Sequence, residues 1–187
     1  MEIEEYIIAD DKHLVELSLG GDDMAFEYLF NRYNDAIRRL FLQRSTSADD
    51  TEDLLQETFI KVYINLQRYS PEYTFGQWVY TIARNTHIDF ERRRQEDLSI
   101  DERFSAPVAS TPSPEENLIN LQQRSQIENY INNLPEQYRT LFTMRFLEDY
   151  SYEEIAEKLR LPMGTVKTQI HRARERMCRM IINAEKE

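Results

Sequence analysis

Lys167, Thr168, His171, Arg172, Arg174 and Arg176 fall within ten residues of one another and are interleaved with Val166, Ile170, Ala173 and Met177. The apolar four recur at offsets of 4, 3 and 4, the spacing of one buried helix stripe, so the basic and polar six are left facing elsewhere. Guanidinium, ammonium, hydroxyl and imidazole groups on one helix are the side chains that hydrogen-bond phosphates and base edges. Lys167, His171 and Arg174 share one ridge, and Thr168 and Arg172 the next. The helix just upstream strengthens this reading. Ser151 and Glu154 have the spacing of a capping box, Ile155, Ala156 and Leu159 give an apolar side, and Pro162 with Gly164 breaks the chain before it restarts. Helix, tight turn and basic helix together make a helix-turn-helix, whose second helix enters a major groove.

Two further constellations stand earlier in the chain. Leu54, Leu55, Thr58, Phe59, Val62 and Tyr63 form a buried stripe, while Asp53, Gln56, Glu57 and Ile60 share the opposite side at offsets of 3, 4 and 7. That side reads either as a solvated acidic helix face or as an acidic docking surface for a basic protein, with Ile60 as its apolar centre. Phe75, Trp78, Val79, Ile82, Ala83 and Thr86 then give the core side of another helix, followed by Arg84, Asn85, His87, Ile88, Asp89 and the run Glu91-Arg92-Arg93-Arg94. Cations at a helix C-terminus complement the macrodipole, which is one explanation. The other is a surface that holds phosphates and contacts bases, with Tyr69, Tyr73, Phe75 and Trp78 close enough in sequence to stack on unpaired bases.

The elements that must position these groups are helical. With only 4 glycines and 6 prolines in 187 residues, and Leu, Glu, Arg, Ile and Gln at helical spacing, the fold class is all-α: two small helical domains joined by a flexible linker, the second containing the helix-turn-helix. The first spans 12–95, with breaks at Gly20-Gly21, near Ser45 to Ala48, and from Tyr69 to Tyr73. Residues 96–121 carry Pro107, Pro112 and Pro114 without sustained apolar period and read as the linker. The second domain spans 122–183, with helices from Ile127 to Leu134 and from Pro135 through Leu147 before the helix-turn-helix.

The net charge of −11 argues against a nucleic-acid partner until its distribution is considered. Glu2, Glu4, Glu5, Asp10, Asp11, Glu16, Asp22 and Asp23 face Lys12 alone in the first 23 residues, whereas residues 160–179 hold six Lys or Arg against Glu175. Charge is segregated, and the local sign at the second helix is positive. The single Cys178 excludes an intramolecular disulfide and a thiolate zinc cluster, and reads as an inert buried thiol. No apolar run approaches the roughly 20 residues of a membrane span, and the acidic start lacks signal-peptide order, so a cytoplasmic protein without membrane insertion is expected. His13, His87 and His171 are scattered, and neither a metal motif nor a glycine-rich phosphate loop can be assembled, so neither an enzyme nor a cofactor or metal is expected.

With these residues in place the chain resembles the bacterial RNA polymerase sigma factors of the extracytoplasmic-function (ECF) group, in the sigma-70 family. The resemblance rests on Gly21-Asp-Asp-Met-Ala-Phe-Glu-Tyr-Leu-Phe-Asn-Arg-Tyr33, Asp53-Leu-Leu-Gln-Glu-Thr-Phe59, Trp78-Val-Tyr-Thr-Ile-Ala-Arg-Asn85 with its tail to Arg94, and Gly164 to Arg174, in that order, and covers about Leu14 to Met180. It implies that the first domain is sigma region 2 and the second sigma region 4. It further implies that the helix of Asp53, Gln56, Glu57 and Ile60 docks on the clamp helices of core RNA polymerase. Arg84, Asn85, His87, Ile88, Arg92, Arg93 and Arg94 would meet the −10 promoter element, holding a flipped base of the non-template strand. Lys167, Thr168, His171 and Arg172 would meet the −35 element, with Arg174 and Arg176 nearer the backbone. An anti-sigma factor, often membrane-bound, is the further implied partner beside polymerase and promoter DNA. A stand-alone helix-turn-helix regulator, or a helical adaptor that never touches nucleic acid, remains the competing reading of the residues themselves.

Overall fold

The computed structural model describes residues 3–44, 47–96 and 125–182. Among these the elements are α1 (Ile3–Ile8), α2 (Asp11–Leu19), α3 (Asp23–Gln43), α4 (Ala48–Ile64), a 3-10 turn (Leu66–Arg68), α5 (Phe75–Glu96), α6 (residues 125–133), α7 (Glu136–Phe146), α8 (Tyr152–Leu159) and α9 (Met163–Ile182). Among the described residues all regular structure is helical, as the composition implies. The expected linker, save residue 96, lies outside the described residues.

Local chemistry sets the helix boundaries. Asp10, Asp22 and Ser47 each accept a hydrogen bond from the backbone N–H three residues on, at 2.8, 3.1 and 3.1 Å, and so start α2, α3 and α4. Between α2 and α3 the chain reverses at Gly21, whose φ of 93° is open to glycine and costly for other residues, with the Asp22 N–H returning to the Leu17 carbonyl. Pro135 precedes the first turn of α7, where its missing N–H is harmless. The helix of 3–8 was not expected. Six residues cannot sustain a helix alone. It is held by tertiary contact, as Tyr6 stacks on Tyr28 at 5.2 Å and donates to Asp22 Oδ2 at 2.6 Å.

The first core is built by Phe26, Leu29, Ile37 and Phe41 of α3, Leu54, Leu55, Phe59, Val62 and Tyr63 of α4, and Phe75, Val79 and Ala83 of α5, all buried. Phe26 meets Tyr63, and Phe30 meets Phe59, edge to face at 4.8 and 4.6 Å. Burial of such a side chain is worth about 1.5–3 kcal/mol, enough to fix the helices that carry the polar groups. The second core joins Ile127 and Ile131 of α6, Leu141 and Phe142 of α7, Ile155 of α8 and the α9 stripe Val166, Ile170, Ala173 and Met177, which is fully buried as its spacing requires. The two groups of helices pack on each other, α9 lying against α3 and α4, and their buried apolar residues form one continuous cluster.

Candidate functional site

Helix α4 is covered on nearly every side. Glu57 is 3% exposed, and three cations from three helices converge on it: Lys61 Nζ at 2.9 Å and Arg145 Nη2 at 3.2 Å on Oε1, and Arg93 Nη2 at 3.6 Å on Oε2. Burial alone would raise the carboxyl pKa, but the charges of Lys61, Arg93 and Arg145 and the Lys61 hydrogen bond outweigh it and hold Glu57 well below the usual range. Arg93 and Arg145 also flank the Tyr152 ring at 5.3 and 5.4 Å, which spreads their charge over a π face. One turn earlier, Asp53 Oδ1 lies 2.7 Å from Arg174 Nη2, and Gln56 Oε1 accepts from Arg174 Nε at 3.4 Å. His171 Nδ1 stands 3.0 Å from Arg174 Nη2 and 3.3 Å from Asp53 Oδ1. A guanidinium only donates, so Nδ1 is the acceptor and Arg174 is the partner of Asp53.

This differs from an exposed acidic face in one respect that matters. Asp53 and Gln56 stay partly accessible, but Glu57 is buried and Ile60 is fully enclosed, so Ile60 is a core residue and not an apolar surface centre. The spacing did place the four on one side of α4; what covers that side, Arg145 and Arg174, comes from 88 and about 120 residues further along the chain.

The cationic end of α5 divides. Arg84, Asn85, Ile88 and Arg94 are exposed, and Arg92 pairs with Asp89 at 3.3 Å. His87 instead turns inward, 5% exposed and stacked 6.0 Å from Phe41 at 14°, where burial pushes its pKa down. Arg93 is also drawn inward, to Glu57. Tyr80, 41% exposed, continues the row of Arg84 and Ile88 at helical spacing, a residue that sequence reasoning did not select although its i−4 offset from Arg84 signals it. Of the upstream aromatics, Tyr73 is exposed, whereas Phe75 is buried and Trp78 packs against it at 5.7 Å.

In the helix-turn-helix, the Glu154 N–H donates to Ser151 Oγ at 3.1 Å and the Ser151 N–H to Glu154 Oε2 at 2.8 Å, completing the capping box. The turn is made by Arg160, in the left-handed region at φ 52°, with the Leu161 N–H closing onto the Ala156 carbonyl at 3.0 Å. Gly164 lies inside the first turn of α9 and is not the breaking residue. Lys167, Thr168, Arg172 and Arg176 are exposed. Arg174 is buried and His171 half-buried, both facing α4. Among the described residues no cluster of His, Cys, Asp and Glu is suited to a metal ion. Cys178 is buried, its thiol pushed up to about 12.

Comparison with known proteins identifies the family. Residues 29–96 match the family model described as Sigma-70 region 2, and residues 124–177 that described as Sigma-70, region 4. The chain is 34% identical over 164 residues to the ECF RNA polymerase sigma factor SigW of Bacillus subtilis, covering 83% of this chain and 88% of that protein. The chain belongs to the ECF sigma factors. The ECF RNA polymerase sigma-E factor of Haemophilus influenzae is 36% identical over 88% of this chain and 92% of its own length. Among solved structures, that of Rhodobacter sphaeroides SigE in complex with the anti-sigma ChrR has a TM-score of 0.43 and 24% identity, covering 90% of this chain and 96% of that one. As a sigma factor the protein directs RNA polymerase to promoters and initiates transcription; it is not an enzyme. A stand-alone regulator is not favoured. No helix among the described residues is long and apolar enough to cross a membrane.

Proposed function

We propose that the three surfaces divide the work of initiation between a unit of residues 12–95 and a unit of residues 122–183. Asp53, Gln56 and Glu57 dock core polymerase, with Ile60 holding their helix in place. Arg84, Asn85, Ile88, Arg92 and Arg94 contact the −10 element, Tyr80 and Tyr73 offering faces for unpaired bases. His87 and Arg93 position α5, the first on Phe41 and the second on Glu57. Lys167, Thr168 and Arg172 read the −35 element and Arg176 meets its backbone; His171 and Arg174 join them once released from Asp53. The observation that carries this reading is the outward alignment of donors on α5 and α9, on the two helices that the region 2 and region 4 matches contain.

Core polymerase and promoter DNA are the partners, and the cytoplasm, where they meet, is the location. An anti-sigma factor is the proposed regulator, a protein of the kind that ChrR is in its complex with SigE. Run-off transcription with core enzyme and a promoter library tests the assignment. The wild-type chain should select a promoter class, Arg84→Ala with Asn85→Ala should fail at opening, and Lys167→Ala with Arg172→Ala should lose −35 selectivity. Selection unchanged by both double substitutions would refute it.

A further inference from the structure

The acidic N-terminal segment contributes nothing to the outward rows of α5 and α9, yet it is fastened to the ground on which α5 starts. Asp11, the first residue of α2, uses both carboxylate oxygens: Oδ1 accepts from Arg32 Nη1 at 2.5 Å, and Oδ2 accepts from the Tyr33 hydroxyl. Arg32 Nη2 also donates to the Ala9 carbonyl at 3.0 Å, which fixes the junction of α1 and α2. Burial, the hydrogen bond and the Asp11 charge all push the Tyr33 pKa up, so its hydroxyl stays the donor at physiological pH. The ring behind that hydroxyl lies against the backbone of Gly76, where a Cβ would stand 2.9 Å from it, and it meets Phe75 edge to face at 5.5 Å. Phe75 is buried and in turn meets Tyr69 edge to face at 5.4 Å. The Tyr69 hydroxyl then donates to the Tyr73 carbonyl at 2.8 Å, across the loop that precedes α5. That loop is closed at its far end by a reciprocal pair, the Thr74 N–H donating to Gln77 Oε1 and the Gln77 N–H to Thr74 Oγ1, both at 3.2 Å. Tyr73 is left 63% exposed on a backbone tied down at both sides.

We propose that Asp11 and Tyr33 are positioning residues for promoter opening: Asp11 holds the Tyr33 ring on Phe75 and Gly76, and Phe75 with Tyr69 holds residues 69–74 in the form that offers Tyr73 to an unpaired base. The inference rests on the reading of Tyr73 and the outward row of α5 as the −10 surface. A base that stacks on a loop already ordered does not have to order it, so the tether is worth most at the step where a base leaves the duplex. Its worth to the fold as a whole is small, because the side chains of Asp11 and Arg32 keep 24% and 33% exposure. A contact of little global value, set behind the aromatics of the loop, is what a positioning role requires.

The test uses the full chain assembled with core polymerase and a promoter selected from the library. Three quantities are read: affinity for core polymerase, affinity of the holoenzyme for a single-stranded oligonucleotide of the non-template −10 sequence, and the rate of opening from 2-aminopurine fluorescence in that strand of the duplex. Tyr33→Phe and Asp11→Ala should each weaken single-strand binding about tenfold and slow opening by a similar factor, the size expected for losing a hydrogen bond to a carboxylate, with polymerase affinity unchanged. The double variant should be no worse than Asp11→Ala alone, because both substitutions break one bond. Tyr6→Phe is the matched control: it removes the 2.6 Å bond from the Tyr6 hydroxyl to Asp22 that holds the same segment on α3, and should leave single-strand binding unchanged. Wild-type strand binding in Tyr33→Phe or Asp11→Ala, additive losses in the double variant, an equal loss in Tyr6→Phe, or a parallel loss of polymerase affinity would each overturn the positioning role. Tyr73→Ala separates the role from the reading beneath it. If Tyr73→Ala binds the single strand as wild type does, the −10 reading of this loop fails and takes the proposal with it; if it loses binding while Asp11→Ala and Tyr33→Phe keep it, that reading stands and positioning fails.

Discussion

Glu57→Gln is the most informative single substitution, because it keeps the volume of the side chain and removes only its charge. In the native structure that charge is met by Lys61, Arg93 and Arg145 at 2.9, 3.6 and 3.2 Å. Breaking a buried ion pair by removing one partner costs about 3–5 kcal/mol, since the other charge stays in a poor solvent. Here the stranded charges differ. Lys61 and Arg93 keep 25% and 20% exposure and can turn toward water, whereas Arg145 is 12% exposed and its Nε has no hydrogen-bond partner. The Tyr152 ring that it shares with Arg93 offsets a further part. A loss of about 2–4 kcal/mol follows, or about 5–15 °C in Tm for a chain of this size. The pH dependence carries a sign. Because the Glu57 pKa is lowered on folding, its contribution is present above the unfolded carboxylate value of about 4.3 and is lost as pH falls through the folded value. Urea unfolding should therefore separate wild type and Glu57→Gln at pH 7, and the two curves should begin to converge only as pH falls below the unfolded carboxylate value of about 4.3. A loss under about 1 kcal/mol at pH 7, the scale of an exposed pair, would show that the cluster is screened by solvent and refute the reasoning.

Three other outcomes follow from the same structure. Gly76→Ala places a Cβ 2.9 Å from the Tyr33 ring, which is tethered by its hydroxyl to Asp11, so it should cost about 1–3 kcal/mol by overpacking, read by thermal unfolding. Ser151→Ala removes one half of the capping box and should cost about 1 kcal/mol, read by urea denaturation, with a matching loss of −35 binding only if α8 frays. Lys167→Ala and Arg172→Ala should each weaken −35 recognition by the holoenzyme by about 1–3 kcal/mol and relax preference at one base pair, whereas Arg176→Ala should weaken all sequences alike; competition binding with mutated promoters distinguishes them.

What the sequence made legible was local. The capping box at Ser151, the stripe from Val166 to Met177 and the breaks at Gly20-Gly21 and Tyr69 to Tyr73 are consequences of neighbours within a turn or two, and each appears in the structure. Helix α1 was not legible because its stability lies in Tyr6 on Tyr28, 22 residues away, and not in its own propensity. The sequence places the break at Pro162 with Gly164. It falls at Arg160, because Pro162 disfavours helix at Leu161 and obliges the chain to turn before it. The burial of Glu57 and Ile60 escaped detection because a periodicity reports which residues share a side, not whether another helix lies across it. The same holds for His87, whose place on Phe41 is a meeting of α5 with α3.

Asp53 does to Arg174 what a phosphate oxygen would do, presenting a single anionic oxygen at 2.7 Å to a guanidinium that has already lost its water. The face of α4 is in that sense a protein-made counterpart of a nucleic-acid backbone. A polyanion that reaches for Arg174 must therefore outcompete a carboxylate tethered to the same chain, whereas Arg172 on the outward side of α9 stays exposed. Part of the acidity that first argued against a nucleic-acid partner is thus spent inside the molecule, on the buried arginine of α9.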